Sequence, residues 1–160
     1  MWKGNVVRIY TGPDNRSHFE DLSLPLDAIM MEGHAQHRSP TMPVKGLLFR
    51  ENQLGPQGEY HTPKQRQFVI TISGAVEITC AGGSRVFGPG DVLFAEDLKG
   101  EGHSNRELHG PRMSLIILTM TRPHRPLFCR RQSPFAPTFP SVSWRTFVPS
   151  DRCCHRAGRE

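Results

Sequence analysis

The chain has 160 residues, a formal net charge of +5 and 36% hydrophobic residues, which suits one domain with its own core and is too short for two. The longest near-pure apolar run is "SLIILTM" at 114–120, far short of the ~20 residues of a membrane-spanning helix, and no basic stretch followed by an apolar run opens the chain. These features argue against a helical membrane protein and a classically exported one, and the expectation is a soluble, cytoplasmic protein. The positive charge sits at one end: residues 122–160 hold eight arginines against Asp151 and Glu160, and the residues before them are close to neutral. A nucleic-acid-binding domain carries its basic groups on a folded face among aromatics or on a reading helix, and no such face is visible here. Nucleic acid is therefore not an expected partner, and the basic segment reads as solvated.

In chain order, the first predicted strand is "NVVRIY" at 5–10. Residues 23–45, with Pro25, Pro40 and Pro43, read as irregular, and His34 and His37 inside that stretch as solvated loop residues. The strands then follow closely: "GLLFRE" (46–51), "RQFVITI" (66–72), "AVEITC" (75–80), "SRVFG" (84–88), "DVLFA" (91–95) and "RMSLIILTM" (112–120). Ser73-Gly74 and Gly82-Gly83 read as tight hairpin turns, since glycine takes positive φ without steric cost. No amphipathic helix of useful length interrupts them. Short strands at this spacing predict an all-β sandwich or barrel.

Side-chain alternation adds two inferences. One face of the 66–72 strand presents Gln67, Val69 and Thr71, small and polar enough to line a ligand cavity, while Phe68, Ile70 and Ile72 on the other face require cover. The 112–120 strand is apolar on both faces, so both need burying, and a homodimer is the expected cover for one. The four cysteines, Cys80, Cys129, Cys153 and Cys154, show no C-x-x-C spacing, and Cys80 reads as a small buried apolar residue in a reducing compartment. Near Arg122 the composition changes: fourteen of the fifteen glycines precede it, and six prolines crowd the 39 residues that follow. The division expected is one domain at 1–121 and a Pro/Arg-rich extension at 122–160, either disordered or laid over the domain through Phe135, Phe139, Trp144 and Phe147.

Between Gly55 and Gly74 the polar residues keep a definite spacing: Gly55, His61, Pro63, Gln67, Gly74. This resembles the first motif of the cupins, G(X)5HXH(X)3–4E(X)6G. "FGPGDVLFAEDLKGEGHSN" is similar to the second, with a Pro-Gly-Asp turn at Pro89 to Asp91, a strand, and then His103. The resemblance covers residues 46–120 and implies a small single-domain cupin, a jelly-roll β-barrel of the type-2 conserved barrel kind, with a degenerate first motif. It implies a divalent metal (Zn, Fe, Mn or Ni) held by His61, Gln67 and His103, with Gln67 standing where the family has a carboxylate. Pro63 replaces the second histidine, and His103 falls later than the second motif places it, so a site with no metal is the alternative.

Two neutral imidazoles and one amide give a divalent ion no compensating charge. Glu96 and Asp97, at the end of the "DVLFA" strand, are the candidates to complete the shell or to act as general base alongside His61. Phe49 and Tyr60 join Val69 and Thr71 as expected pocket walls. Arg66 should point away from the cavity. The function implied is a small-molecule cupin enzyme performing proton-transfer chemistry (isomerisation, cyclisation or decarboxylation) on a compact organic acid, phenol or polyketide-like substrate. The alternatives are a cupin dioxygenase, a binding module that has lost its metal, and an interaction protein working through its basic tail.

Overall fold

The computed structural model describes residues 5–120 and 129–130, and among them the only regular elements are strands. They are β1 (Asn5–Thr11), β2 (Ser17–Ser23), β3 (Asp27–Met31), β4 (His34–Arg38), β5 (Val44–Asn52), β6 (Gln67–Cys80), β7 (Gly83–Phe87), β8 (Val92–Glu96), β9 (Ser104–Thr119) and β10 (Cys129–Arg130). The β-branched and aromatic runs seen in the sequence all fall within or at the ends of these strands, so the molecule is all-β. Among the described residues no helix is long and apolar enough to cross a membrane.

One sheet runs in the order β10-β2-β1-β8-β6-β9-β5, with β7 also paired to β6, and β3 and β4 form a separate hairpin. The β1–β8 pair is parallel and the other pairings are antiparallel. The long strands β6 and β9 shape the molecule, because each changes direction midway. The first part of β6 lies between β8 and the end of β9; its second part lies between β7 and the start of β9. Gly74 (φ 72°) breaks β6, and His109 (φ 58°) with Gly110 (φ 116°) breaks β9 on the same ladder.

The two arms thereby turn their inner faces towards each other. Ile9, Val69, Leu93, Ala95 and Ile116 from one arm share a single core cluster with Val76, Ile78 and Phe87 from the other. Each such side chain contributes about 1.5–3 kcal/mol on burial, so the cluster is the main source of cohesion. A second cluster covers the outer face of the first arm, where Phe68 stacks on Phe94 with ring centroids 4.6 Å apart beside Val6 and Leu22. Met42 and Leu24, from the loops around the β3–β4 hairpin, pack against it.

Three expectations change. Ser73-Gly74 is not a hairpin turn: β6 runs through it, and the positive-φ glycine makes a bulge where the register against β9 shifts on both sides of Ser73. Residues 23–45 are not irregular, because β3 and β4 form a hairpin across Glu32-Gly33, whose φ values of 50° and 80° are those of a tight primed turn. His34 and His37 are thus strand residues, although exposed. The strand β2 was not expected either.

The turn between β6 and β7 falls at Ala81-Gly82, one residue earlier than expected, because Gly83 already opens β7 and pairs with Cys80. Of the C-terminal extension, Cys129 and Arg130 pair with Ser23 and Leu22 of β2; the rest, with its aromatic residues and Cys153 and Cys154, lies outside the described residues.

The bulge yields the first prediction. A Cβ at position 74 would stand 2.6 Å from the Pro111 carbonyl oxygen and 2.9 Å from the Arg112 Cα, both backbone, on a residue already at positive φ. Gly74→Ala should therefore cost about 2 kcal/mol or more in urea unfolding. An unchanged midpoint would show that the bend between the two arms does not depend on this glycine.

Candidate active site

A cavity of about 400 Å³ opens between the two arms, within the range of small-molecule sites. Val69, Val76, Ile78, Phe87 and Leu93 supply its apolar walls. The polar groups at its surface include His61, Gln67, His103 and Asn105. Gln67, Val69 and Thr71 all line it, on the face that their alternation along β6 assigns to them.

His61 and His103 are brought together by main chain. Each accepts the other's backbone N–H at 2.9 Å, so the segment before Thr62 adds a short edge to the start of β9. Gly102 permits the approach, since it holds φ 76° and a Cβ there would run into the His61 carbonyl. The two imidazole rings lie 4.8 Å apart, centroid to centroid, tilted by 53°.

Behind His103 stands Asp97, just beyond the end of β8 and with no exposed surface. Its Oδ2 lies 2.7 Å from His103 Nδ1 and accepts the Ser17 hydroxyl at 2.9 Å; its Oδ1 has no partner among the described residues. A carboxylate can only accept, so Nδ1 of His103 carries the proton and Nε2 is the ring nitrogen left for the cavity. His103 is only 5% exposed, and its orientation is fixed by packing and by this bond. His61 follows the same rule with a weaker anchor, its Nδ1 lying 3.0 Å from the Glu59 carbonyl oxygen on an exposed residue.

Other expected site residues lie elsewhere. Glu96 is on the outer face of β8, where Arg8 Nε at 2.7 Å and Arg66 Nε at 2.7 Å each take one of its carboxylate oxygens. Arg8 also reaches Glu20 at 2.8 Å. Desolvation works against the charge on Arg8, yet the two carboxylates prevail and hold its guanidinium above its ordinary value. Strand alternation explains the arrangement: Leu93 and Ala95 face the cavity, so Glu96 faces away, and Asp97, two residues after Ala95, falls on the inner side just past the strand's end. Phe49, expected as a wall, points outwards on β5 and is 67% exposed; its neighbours Leu48 and Arg50 line the cavity instead. Tyr60 is 45% exposed and does not line it.

Residues that sequence reasoning passed over occupy the far wall. Arg112 is 2% exposed, and its Nε and Nη2 bind the two oxygens of Glu107 at 2.7 and 3.0 Å. Arg50, on β5, shares that wall. The available signal was the alternation of "GLLFRE", but it favours burying Leu47 and Phe49 over an arginine.

The donor set is short of what a divalent metal requires. His61 and His103 offer two nitrogens and Gln67 an amide oxygen, but among the described residues no group of three His, Cys, Asp or Glu side chains could hold an ion. Asp97, the nearest carboxylate, is committed through Oδ2 to His103 and Ser17. The protein residues alone do not complete a site for an ion of this charge.

No family model and no curated protein matches the chain. Among solved structures it is similar to a Neisseria meningitidis protein (18% identity, 59% of this chain and 82% of that one, TM-score 0.38). It is also similar to a conserved Streptococcus pyogenes protein of unknown function (15%, 51% and 82%, TM-score 0.37). A third is a candidate mannose-6-phosphate isomerase from Ralstonia eutropha (15%, 74% and 87%, TM-score 0.31). Similarity at this level carries no assignment, so the reading of the site rests on its own geometry.

The two carboxylates differ in a measurable way. Asp97→Ala strands two buried donors, Ser17 Oγ and His103 Nδ1, at about 1–3 kcal/mol each. Glu96→Ala removes part of a partly exposed ion-pair network and should cost about 1 kcal/mol or less. Urea unfolding of both variants should show the larger loss for Asp97→Ala; equal losses would contradict the buried Asp97–His103–Ser17 arrangement.

Proposed function

We propose that this is a small-molecule enzyme of the cupin type, built on a jelly-roll barrel, in which His103 moves a proton on a substrate held in the cavity. The observation that carries the reading is the pairing of His103 Nδ1 with the fully buried Asp97, which leaves Nε2 as the ring nitrogen for the cavity. The motif spacing around His61 and Gln67 and the all-β architecture support the family.

The chemistry follows from the arrangement. A carbon acid next to a carbonyl, placed within about 3 Å of Nε2, gives its proton to that nitrogen, and the C–H electron pair becomes the enolate. The imidazolium that forms lies against the Asp97 carboxylate, which holds the ring in place and offsets the new charge without taking the proton. Return of the proton to a different atom of the substrate completes an isomerisation, and return to the same carbon completes an exchange. His61 and Gln67, on the same cavity surface, are placed to hydrogen-bond the substrate oxygen. His103 is thus the proposed catalytic residue and Asp97 its positioning residue; Glu96, on the other face, takes no part.

Solvent exchange reports this chemistry without knowledge of the natural substrate. A panel of small ketones and oxo acids in D2O, followed by proton NMR, should show enzyme-dependent loss of α-proton signal for at least one member. His103→Asn should slow it by at least about 100-fold. Asp97→Asn should lower kcat with KM little changed, and Glu96→Gln should leave both unchanged. Exchange that survives His103→Asn would sink the assignment, and bound ligands with no exchange anywhere in the panel would leave a binding module.

The closeness of the two imidazoles favours a second reading, in which His61 and His103, with Gln67 as a further donor, would hold a divalent ion. Such an ion would act as a Lewis acid on a substrate oxygen. Without an anionic ligand it should be weakly held, so dialysis against a chelator should remove it and leave His103-dependent exchange intact. A stoichiometric ion that survives the chelator and disappears in both His61→Ala and His103→Ala would put the metal reading first.

A further inference from the structure

The far wall of the cavity holds two guanidinium groups whose donors are not all used. Arg50 and Arg112 are diagonal neighbours on one face of the β5–β9 ladder, where Arg50 pairs with Ser114 and Asn52 with Arg112. Both line the cavity. Glu107 takes Nε and Nη2 of Arg112, which leaves Arg112 Nη1 and Arg50 Nε buried and without a hydrogen-bond partner among the described residues. A buried N–H of a charged group left unpaired costs more than a neutral one, and native structures rarely keep two together without a ligand to take them. Burial lowers the Arg50 guanidinium from its ordinary value, and the neighbouring charge of Arg112 adds to the effect while Glu107 opposes it. Two cations against one carboxylate leave this wall with one net positive charge; Lys64, the other cation on the cavity lining, is exposed to solvent.

We infer that Arg50 and Arg112 form a subsite for the carboxylate of the small molecule that occupies this cavity. A monoanion neutralises the excess charge, and its two oxygens would take the two unpaired N–H groups once the guanidiniums turn these shielded nitrogens to the cavity surface. A phosphate dianion would overshoot the charge, so a carboxylate is the better match. The inference rests on the reading of the cavity as a small-molecule site and gives that molecule a polarity: its carboxylate lies at β5 and β9, its body lies along Val69, Ile78 and Leu93, and its reactive carbon lies at His103. The substrate class is therefore a small carboxylic acid with an apolar body.

Binding can be measured apart from turnover, by calorimetry and thermal shift, with the monoanions benzoate and butyrate, inorganic phosphate and the neutral isostere benzamide as probes. Replacing Arg112 would strand Glu107 in the core, so Arg50→Gln is the test variant. Arg85→Gln, on a surface pair with Asp21, is the control. Benzoate or butyrate should bind at least about tenfold more tightly than benzamide or phosphate, and Arg50→Gln should remove about tenfold of that affinity while Arg85→Gln removes none. His103→Asn should retain carboxylate binding even though proton exchange is lost, which separates failure of the subsite from failure of the catalytic reading. Equal binding of benzoate and benzamide, tighter binding of phosphate, no binding of either carboxylate, or full affinity in Arg50→Gln would each overturn the inference.

Discussion

A carboxylate with no exposed surface constrains everything around it. Asp97 has left water, and what it receives in exchange is the Ser17 hydroxyl and the His103 imidazole. Bringing Ser17 there requires β2 to run beside β1, and bringing His103 there requires β9 to begin where Gly102 lets the chain approach His61. The site and the fold are in this sense one arrangement: the loop after β8, the first residue of β2 and the residue preceding β9 meet at one buried oxygen. Burial of such a group is costly unless it is paired, so the arrangement specifies a unique geometry more than it adds stability.

Charge in this protein is sorted by the faces of its strands. On the outer face, Arg8, Glu20, Arg66 and Glu96 close a network of opposite charges whose members satisfy one another. On the inner face, Arg112 and Glu107 pair, but Arg50 and one nitrogen of Arg112 remain over. This imbalance lies on the cavity wall, where a ligand could meet it. A cavity with a basic nitrogen at one side and an unsatisfied positive wall at another has a direction, and the proposed chemistry depends on that direction: an electron-withdrawing carbonyl near His103 makes the carbon acidic, and the anion at the wall fixes which carbon is presented.

Much of this was legible in the sequence, for identifiable reasons. The strands are rich in Val, Ile, Phe and Thr, and their side chains alternate, which placed Gln67, Val69 and Thr71 on the cavity face. At β5 the expected wall Phe49 is the more apolar choice and yet points out, while Leu48 and Arg50 line the cavity. Alternation could also have separated Glu96 from Asp97, but the end of β8 falls between them, and a pattern of period two says nothing beyond a strand's end. Ser73-Gly74 looked like a hairpin turn because glycine at positive φ serves turns and bulges equally. The Asp97–Ser17 contact joins residues eighty positions apart, and no local pattern could show it.

The central claim is that Asp97 holds His103 with its proton on Nδ1 and its lone pair on Nε2 facing the cavity. Long-range nitrogen–proton correlation NMR on imidazole-labelled protein, with His103→Asn to assign the ring, reads that tautomer directly. In its neutral form the His103 ring should carry its proton on Nδ1 and leave Nε2 bare, converting to the other tautomer or to a mixture in Asp97→Asn. A neutral wild-type ring protonated on Nε2, or a tautomer indifferent to Asp97→Asn, would contradict that claim.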